Sequence, residues 1–186
     1  MKLDIRSFPL EGIKLIRSRR VSDARGYFAE TYVRPDFAAA GIDHEFIQDN
    51  QSKSYATGTV RGLHFQVPPF AQTKLVRVPQ GRILDIVVDL RRSSPTYGQH
   101  LAIELGESAG DQLLVPAGFA HGFCTLEPDS IVFYKTDKIY SADHDRGVHW
   151  ADARLGIAWP IATTDAIVSE RDRDLPPFRE LPAYFD

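Results

Sequence analysis

Between Thr59 and Lys135 the apolar residues alternate with polar ones or gather in short runs. Seven such stretches predict strands: Thr59–Phe65, Lys74–Val78, Arg82–Asp89, His100–Glu104, Leu113–Val115, Phe123–Leu126 and Ile131–Lys135. The clusters between them, such as Pro79-Gln80-Gly81, Ser93–Gly98, Ser108–Asp111 and Pro116-Ala117-Gly118, break pairing and turn the chain. Many short strands at this spacing predict an all-β sandwich or barrel. One early helix is predicted over Arg34–Ala40, with Pro35 in its first turn and Gly41 at its end. No internal repeat or long linker divides the chain. A single domain over 1–186 is expected, with N-terminal strands and the tail Glu170–Asp186 wrapping a core at 45–140.

Composition narrows the function classes. With 186 residues and 43% of them hydrophobic, the chain can bury one well-packed core but hardly two. A net charge of −3 gives no basic field for a polyanion, so nucleic acid is not an expected partner, and any phosphate must meet a few placed cations. The single cysteine, Cys124, excludes an intramolecular disulfide and a cysteine-rich zinc module, and fits a reducing, cytoplasmic setting. Neither end carries a signal-peptide pattern and no apolar run approaches the ~20 residues of a membrane helix, so a soluble, unanchored protein is expected.

The densest polar cluster is Arg61-Gly62-Leu63-His64-Phe65-Gln66, followed by Gln72 and Lys74. Under period-two alternation Arg61 and His64 point to opposite faces, unless Gly62 bends the strand as a bulge. Alone, such a histidine is more often a hydrogen-bonded structural residue than a base. A second cluster, Pro116–Phe123, sets His121 between glycines, where backbone can approach a ligand or simply turn. Tyr134 lies in register with Val132 on an apolar strand, as many core tyrosines do. Histidines on a small barrel also suggest a metal site. Here Gln66 stands where a second His ligand is wanted and Lys74 where a carboxylate is wanted. A charged ammonium repels a divalent metal and has no lone pair to offer it, so no metal is expected. The same lysine suits an oxyanion.

Taken in order, several stretches resemble the dTDP-4-dehydrorhamnose 3,5-epimerase family: Asp23–Glu30, Gln48–Ser52, Arg61–Gln66, Gln72–Arg77, Asp85–Arg91, Ser94–Gly98, Gly118–Phe123, Gly156–Pro160 and Ser169–Asp172. The resemblance implies a cupin-like jelly roll with short peripheral helices, a homodimer, no cofactor, and a nucleotide-linked 4-keto-6-deoxyhexose as substrate. The implied reaction inverts C5 and then C3 by proton removal and return, in the route to dTDP-L-rhamnose. By resemblance His64 is the base, Asp172 its orienting carboxylate, Lys74 the enolate stabiliser and Tyr134 the acid on the far face. Arg25 and Arg61 would meet the diphosphate or sugar; Glu30, Gln48, Asp49 and Asn50 the nucleotide; His121 the sugar; Phe28 and Tyr140 the base. Three positions depart from the family pattern, one of them Val21, which stands where some members have an aromatic before the Asp-x-Arg-Gly motif. Asp145 stands for a substrate-contacting glutamate and Arg171 for a lysine, which keeps charge but changes reach. A mono-epimerase of the same fold acting on another deoxysugar, and a non-catalytic sugar-nucleotide-binding protein, are the alternatives; the latter would be expected to lose the base or the acid.

Overall fold

All seven predicted strands are present in the computed structural model, which describes residues 3–186. In chain order the strands are β1 (Leu3–Ser7), β2 (Lys14–Ser18), β3 (Arg20–Asp23), β4 (Gly26–Ala29), β5 (Gln48–Ser54), β6 (Val60–Gln66) and β7 (Lys74–Gln80). They continue with β8 (Arg82–Asp89), β9 (His100–Gly106), β10 (Asp111–Val115), β11 (Phe119–Thr125), β12 (Ser130–Thr136) and β13 (Asp145–Gly147). Helix α1 (Arg34–Ala39) falls where predicted, and α2 (Glu170–Arg173) is a single turn in the tail.

One antiparallel sheet runs β1-β2-β10-β7-β12-β5 and the other β13-β6-β11-β8-β9; β3 and β4 form a separate hairpin. The arrangement is the all-β sandwich expected of a jelly roll. Alternation along each strand decides what lies between the sheets. Val76, Val78, Leu113, Val115 and Val132 face Ile83, Val87, Phe119 and Phe123 in the central core. The opposite face of the five-stranded sheet carries Leu63, Phe65, Ile86 and Val88. Val148, Leu155 and the tail residue Leu181 cover them. Phe37 of α1 and Ile42 close the outer face of the other sheet against Leu75 and Leu114.

Three features differ from the sequence reading. Strand β11 begins at Phe119, four residues earlier than predicted, because Gly122 is a strand residue and not a turn residue. A Cβ at Gly122 would lie 2.5 Å from the Arg61 carbonyl oxygen, and one at Gly62 2.7 Å from the Gly122 Cα, so these two glycines let β6 and β11 press together. Strand β5 escapes the apolar pattern because Gln-Asp-Asn-Gln-Ser-Lys-Ser has no apolar residue; its pairing with β12 makes it a strand. The three-residue β13 is too short to leave a pattern.

The loop after β8 is organised by Asp89, whose side chain is fully buried. It accepts bonds from the Arg91 guanidinium at 2.7 and 2.9 Å and from the Ser94 and Thr96 hydroxyls at 2.6 Å each. Burial by itself would raise this carboxyl, but those donors outweigh it and hold it at about 2. A depressed pKa stabilises the fold above the ordinary carboxylate range, and the contribution is lost as pH falls through about 2. Asp89→Ala leaves the Arg91 charge without its partner and is expected to cost roughly 3 kcal/mol in urea unfolding.

Candidate active site

The cavity opens between the two sheets, and its walls follow from register. On β7 and β12, Tyr134 sits opposite Val76 and Thr136 opposite Lys74, so Lys74 and Tyr134 share the inward face with Val76 and Val132. On the facing sheet His121 of β11 sits opposite His64 of β6, but Phe123 sits opposite Arg61. Three residues of β6 thus span two of β11. The extra residue is a bulge at Gly62, whose φ is +119°. The bulge turns Arg61 and His64 to one side, as the sequence had required if both were to serve one site, and both line the cavity. The enclosed volume is about 520 Å³, in the range of small-molecule sites. Lys74, His121, Tyr134, Arg171 and Asp172 add titratable groups to its lining, beside apolar Val60, Phe123, Ile167 and Val168.

The tail brings Asp172 to His64 across 108 positions of sequence. His64 Nε2 donates to Asp172 Oδ1 at 2.6 Å, and the Gly62 amide donates to Oδ2 at 2.9 Å. With Nε2 so engaged, Nδ1 is the lone-pair nitrogen. The Ser169 hydroxyl caps α2 by accepting the Asp172 amide at 3.1 Å, which fixes the turn that presents the carboxylate. Asp172 is 4% exposed. Burial would raise its pKa, but the bonds from His64 and Gly62 and the nearby Arg171 charge hold it below the usual carboxylate range.

Lys74 is 9% exposed, and burial pulls its ammonium down to about 8, against the opposing pull of Asp145 and Asp85. Its Nζ donates to the His64 carbonyl at 3.3 Å and touches no carboxylate among the described residues. It is charged at neutral pH and has donors to spare. Burial also pushes the Tyr134 phenol up, with the Asp145 charge adding to it, so it holds its proton firmly.

Other predicted residues divide into three groups. Arg61 reaches across from β6 to β5, donating to the Ser54 hydroxyl at 3.1 Å and the Lys53 carbonyl at 3.0 Å. On β5, Gln48 and Asn50 share the face of Tyr134 and bond to each other at 2.8 Å, whereas Asp49 points the other way to Lys135 at 2.7 Å. Asp145, Tyr140 and Arg171 form a cluster: Tyr140 Oη and Arg171 Nη2 donate to Asp145 Oδ2 at 3.0 and 2.5 Å. Arg25, Phe28 and Glu30 lie on or beside the β3–β4 hairpin and do not line the cavity of their own chain. The Arg25 side chain is 90% exposed and clasps Asp23 at 2.6 Å; Phe28 is 69% exposed.

Gln66, which stood where a metal ligand was wanted, turns out to hold loops. Its side chain donates to the Phe70 and Ile139 carbonyls and accepts the Ser141 amide at 2.6 Å. Asp85 was not singled out as a site residue by the sequence reading. Its side chain is fully buried on β8, and its two oxygens accept His121 Nε2 at 3.0 and 2.9 Å. A lone carboxylate inside the apolar run Ile83–Val88 was the available signal.

Comparison with known proteins decides which family uses this arrangement. The family model for dTDP-4-dehydrorhamnose 3,5-epimerase matches residues 7–180. The chain belongs to that family. It is 49% identical to the dTDP-4-dehydrorhamnose 3,5-epimerase of Sinorhizobium fredii, over 96% of this chain and 91% of that protein. Among solved structures, the Bacillus anthracis epimerase with TDP and PPi bound is 48% identical at a TM-score of 0.92, covering 95% of this chain and 99% of that one. The Legionella pneumophila epimerase in complex with dTDP-4-keto-L-rhamnose is 32% identical, also at 0.92, covering 98% and 96%.

Proposed function

We propose that this protein is a dTDP-4-dehydrorhamnose 3,5-epimerase that converts dTDP-4-keto-6-deoxy-D-glucose to dTDP-4-keto-L-rhamnose without a cofactor. The observation that carries the reading is the division of groups between the cavity walls. His64 stands on one sheet with Asp172 of α2 held against it, and Lys74 and Tyr134 stand on the sheet that faces it. Inversion needs a base and an acid on opposite sides of one carbon.

The steps follow from these groups. His64 Nδ1 takes the C5 proton, and the C–H electron pair moves into the C4 carbonyl to give an enolate. Asp172 steadies the imidazolium that forms, by accepting its Nε2–H. The Lys74 ammonium stabilises the negative charge on O4. The enolate then collapses toward Tyr134, and C5 takes the phenolic proton from the other face. C3 flanks the same ketone, so the same enolate stabiliser serves the second inversion. Arg61 and Arg171 offer guanidinium forks to the diphosphate.

Incubation with dTDP-4-keto-6-deoxyglucose in heavy water is expected to place deuterium at both C5 and C3. Deuterium at one carbon would make the protein a mono-epimerase, and none would remove the epimerase reading. Tyr134→Phe is expected to slow inversion roughly a hundredfold while proton removal, read as washout of tritium from C5, falls less. Equal loss of both would contradict its assignment as the acid.

The family's expected homodimer gives a place to Arg25, Phe28 and Glu30. Arg20, at the root of the hairpin, donates to the Glu107 and Ser108 carbonyls, and the hairpin packs beside Pro79. Lys74 lies five residues back along β7, roughly 16 Å at strand rise. Val21 and Phe28 pair across the hairpin, both exposed, and Tyr27 is exposed beside them. In the proposed dimer this apolar surface meets a second copy and carries Phe28 and Arg25 to that copy's nucleotide. The buried, unpaired Cys124 supports a cytoplasmic setting.

A further inference from the structure

We propose that Asp145 is a positioning residue for this epimerisation: its carboxylate gathers Tyr140 and Arg171 and docks the tail turn that carries Asp172 against β6. The proposal rests on the epimerase reading above and assigns Asp145 a different part from that of a substrate contact.

Placement comes first. Asp145 pairs with Gln66 and Gly147 with His64, so β13 lies alongside the catalytic strand. The Asp145 side chain is 10% exposed, does not line the cavity, and already accepts two bonds on Oδ2. Its Oδ2 is thus committed within the fold. What it holds needs holding. Helix α2 has four residues, and one turn has no stability of its own. Its anchors are the Ser169 cap, the bond from the Gly62 amide to Asp172, and the Arg171–Asp145 pair. Arg171 adjoins Asp172, so the pair sets the rotation of the turn and with it the 2.6 Å bond to His64. Tyr140 is held from two sides, by Asp145 at its hydroxyl and by Gln48 Oε1 at its backbone amide, and Gln48 faces the same side of its sheet as Tyr134. One carboxylate thereby links the tail, the loop bearing Tyr140 and the edge of the catalytic sheet.

Charge is the second strand. The groups around Lys74 come from every wall: Arg61 and His64 on β6, His121 on β11, Asp85 on β8, Tyr134 on β12, and Arg171 and Asp172 on α2. Asp172 is spent on His64 and Gly62, and Asp85 on His121. Asp145 and Asp85 are the charges that oppose the downward pull of burial on Lys74, Asp145 the more strongly. Without Asp145 the lysine loses its proton at lower pH, and a neutral amine is a poor partner for an enolate.

The test uses Asp145→Asn, Asp145→Glu and Arg171→Gln in the full chain, with deuterium incorporation into dTDP-4-keto-6-deoxyglucose and a ¹³C-lysine NMR titration of Lys74 in unliganded protein. Asp145→Asn is expected to lower kcat roughly tenfold or more, with KM changed less than about threefold. Its alkaline limb and its Lys74 titration should both move to lower pH. Asp145→Glu should restore much of both. Arg171→Gln should lower kcat without moving the limb downward, since it undocks the turn but leaves the carboxylate. A raised KM with unchanged kcat and an unmoved Lys74 titration in Asp145→Asn would overturn the proposal. Should that variant not fold, an unchanged kcat in Arg171→Gln would overturn it. A wild-type protein that exchanges no deuterium would count against the epimerase reading alone, because the Lys74 titration needs no turnover.

Discussion

Replacing Lys74 by Met is expected to abolish most activity and at the same time to stabilise the fold. The lysine is buried, and its ammonium is held down to about 8 chiefly by that burial. An ammonium that is harder to keep in the folded chain than in the unfolded one destabilises the fold wherever both forms are charged. The penalty is present below about 8 and is relieved as pH rises through that value toward the ordinary lysine range. Methionine has similar volume and no charge to desolvate. Urea unfolding at neutral pH should show a gain on the order of 2 kcal/mol. Loss of a preorganised cation at a developing oxyanion should cost 10²- to 10³-fold in kcat, on the order of 3–4 kcal/mol. Opposite signs in the two measurements are the signature of a residue kept for chemistry. A variant that lost activity and stability together would show that Lys74 is a structural residue. In the wild type the alkaline limb of kcat/KM should fall as pH passes about 8.

His64→Ala is expected to have the largest effect of all. It removes the proposed base and also leaves Asp172 Oδ1 without its donor. Deuterium incorporation at both C5 and C3 should drop by at least 10³-fold. Loss at C5 alone would mean that a second base serves C3, and His121 is the neighbouring candidate on β11. Asp172→Asn keeps the shape of the partner but changes which imidazole nitrogen carries the proton. It should lower kcat with little change in KM.

How far the sequence disclosed this site depends on the strand in question. Along β6 and β12 alternation was clear, so the face that Tyr134 shares with Val132 and the need for a bend at Gly62 could be stated from residue order, whereas the inward face of Lys74 came from the pairing of β7 with β12. Strand β5 hid because no apolar residue marks it. Had its pairing been known, period two would have separated Gln48 and Asn50 from Asp49, which turns to Lys135. The join between His64 and Asp172 has no local signature; resemblance supplied it, since a one-turn helix in a proline-rich tail carries no periodic signal. Asp85 was missed because a carboxylate within an apolar run reads as a surface position until its partner is known. Arg25, Phe28 and Glu30 lie outside the cavity of their own chain, and the role proposed for them needs a second chain, which no intrachain pattern can reveal.

In the proposed mechanism, the division of base and acid between two sheets has a consequence for how the reaction tolerates change. Facing sheets stand ~10 Å apart, a spacing set by the side chains that interlock between them. Val76, Val132, Leu113 and Phe123 therefore act as a spacer gauge for the chemistry, although none of them exchanges a proton. A sugar ring held between the walls must be reachable by His64 from one side and by Tyr134 from the other. Trimming a spacer, as in Val76→Ala, would let the walls settle closer or leave them loose. Enlarging one would jack them apart. Either change should uncouple the two half-reactions, so that a proton leaves from one face and is returned to the same face more often. The thickness of the sandwich is in this sense the calibration of the inversion, and the ratio of exchange to epimerisation would measure it.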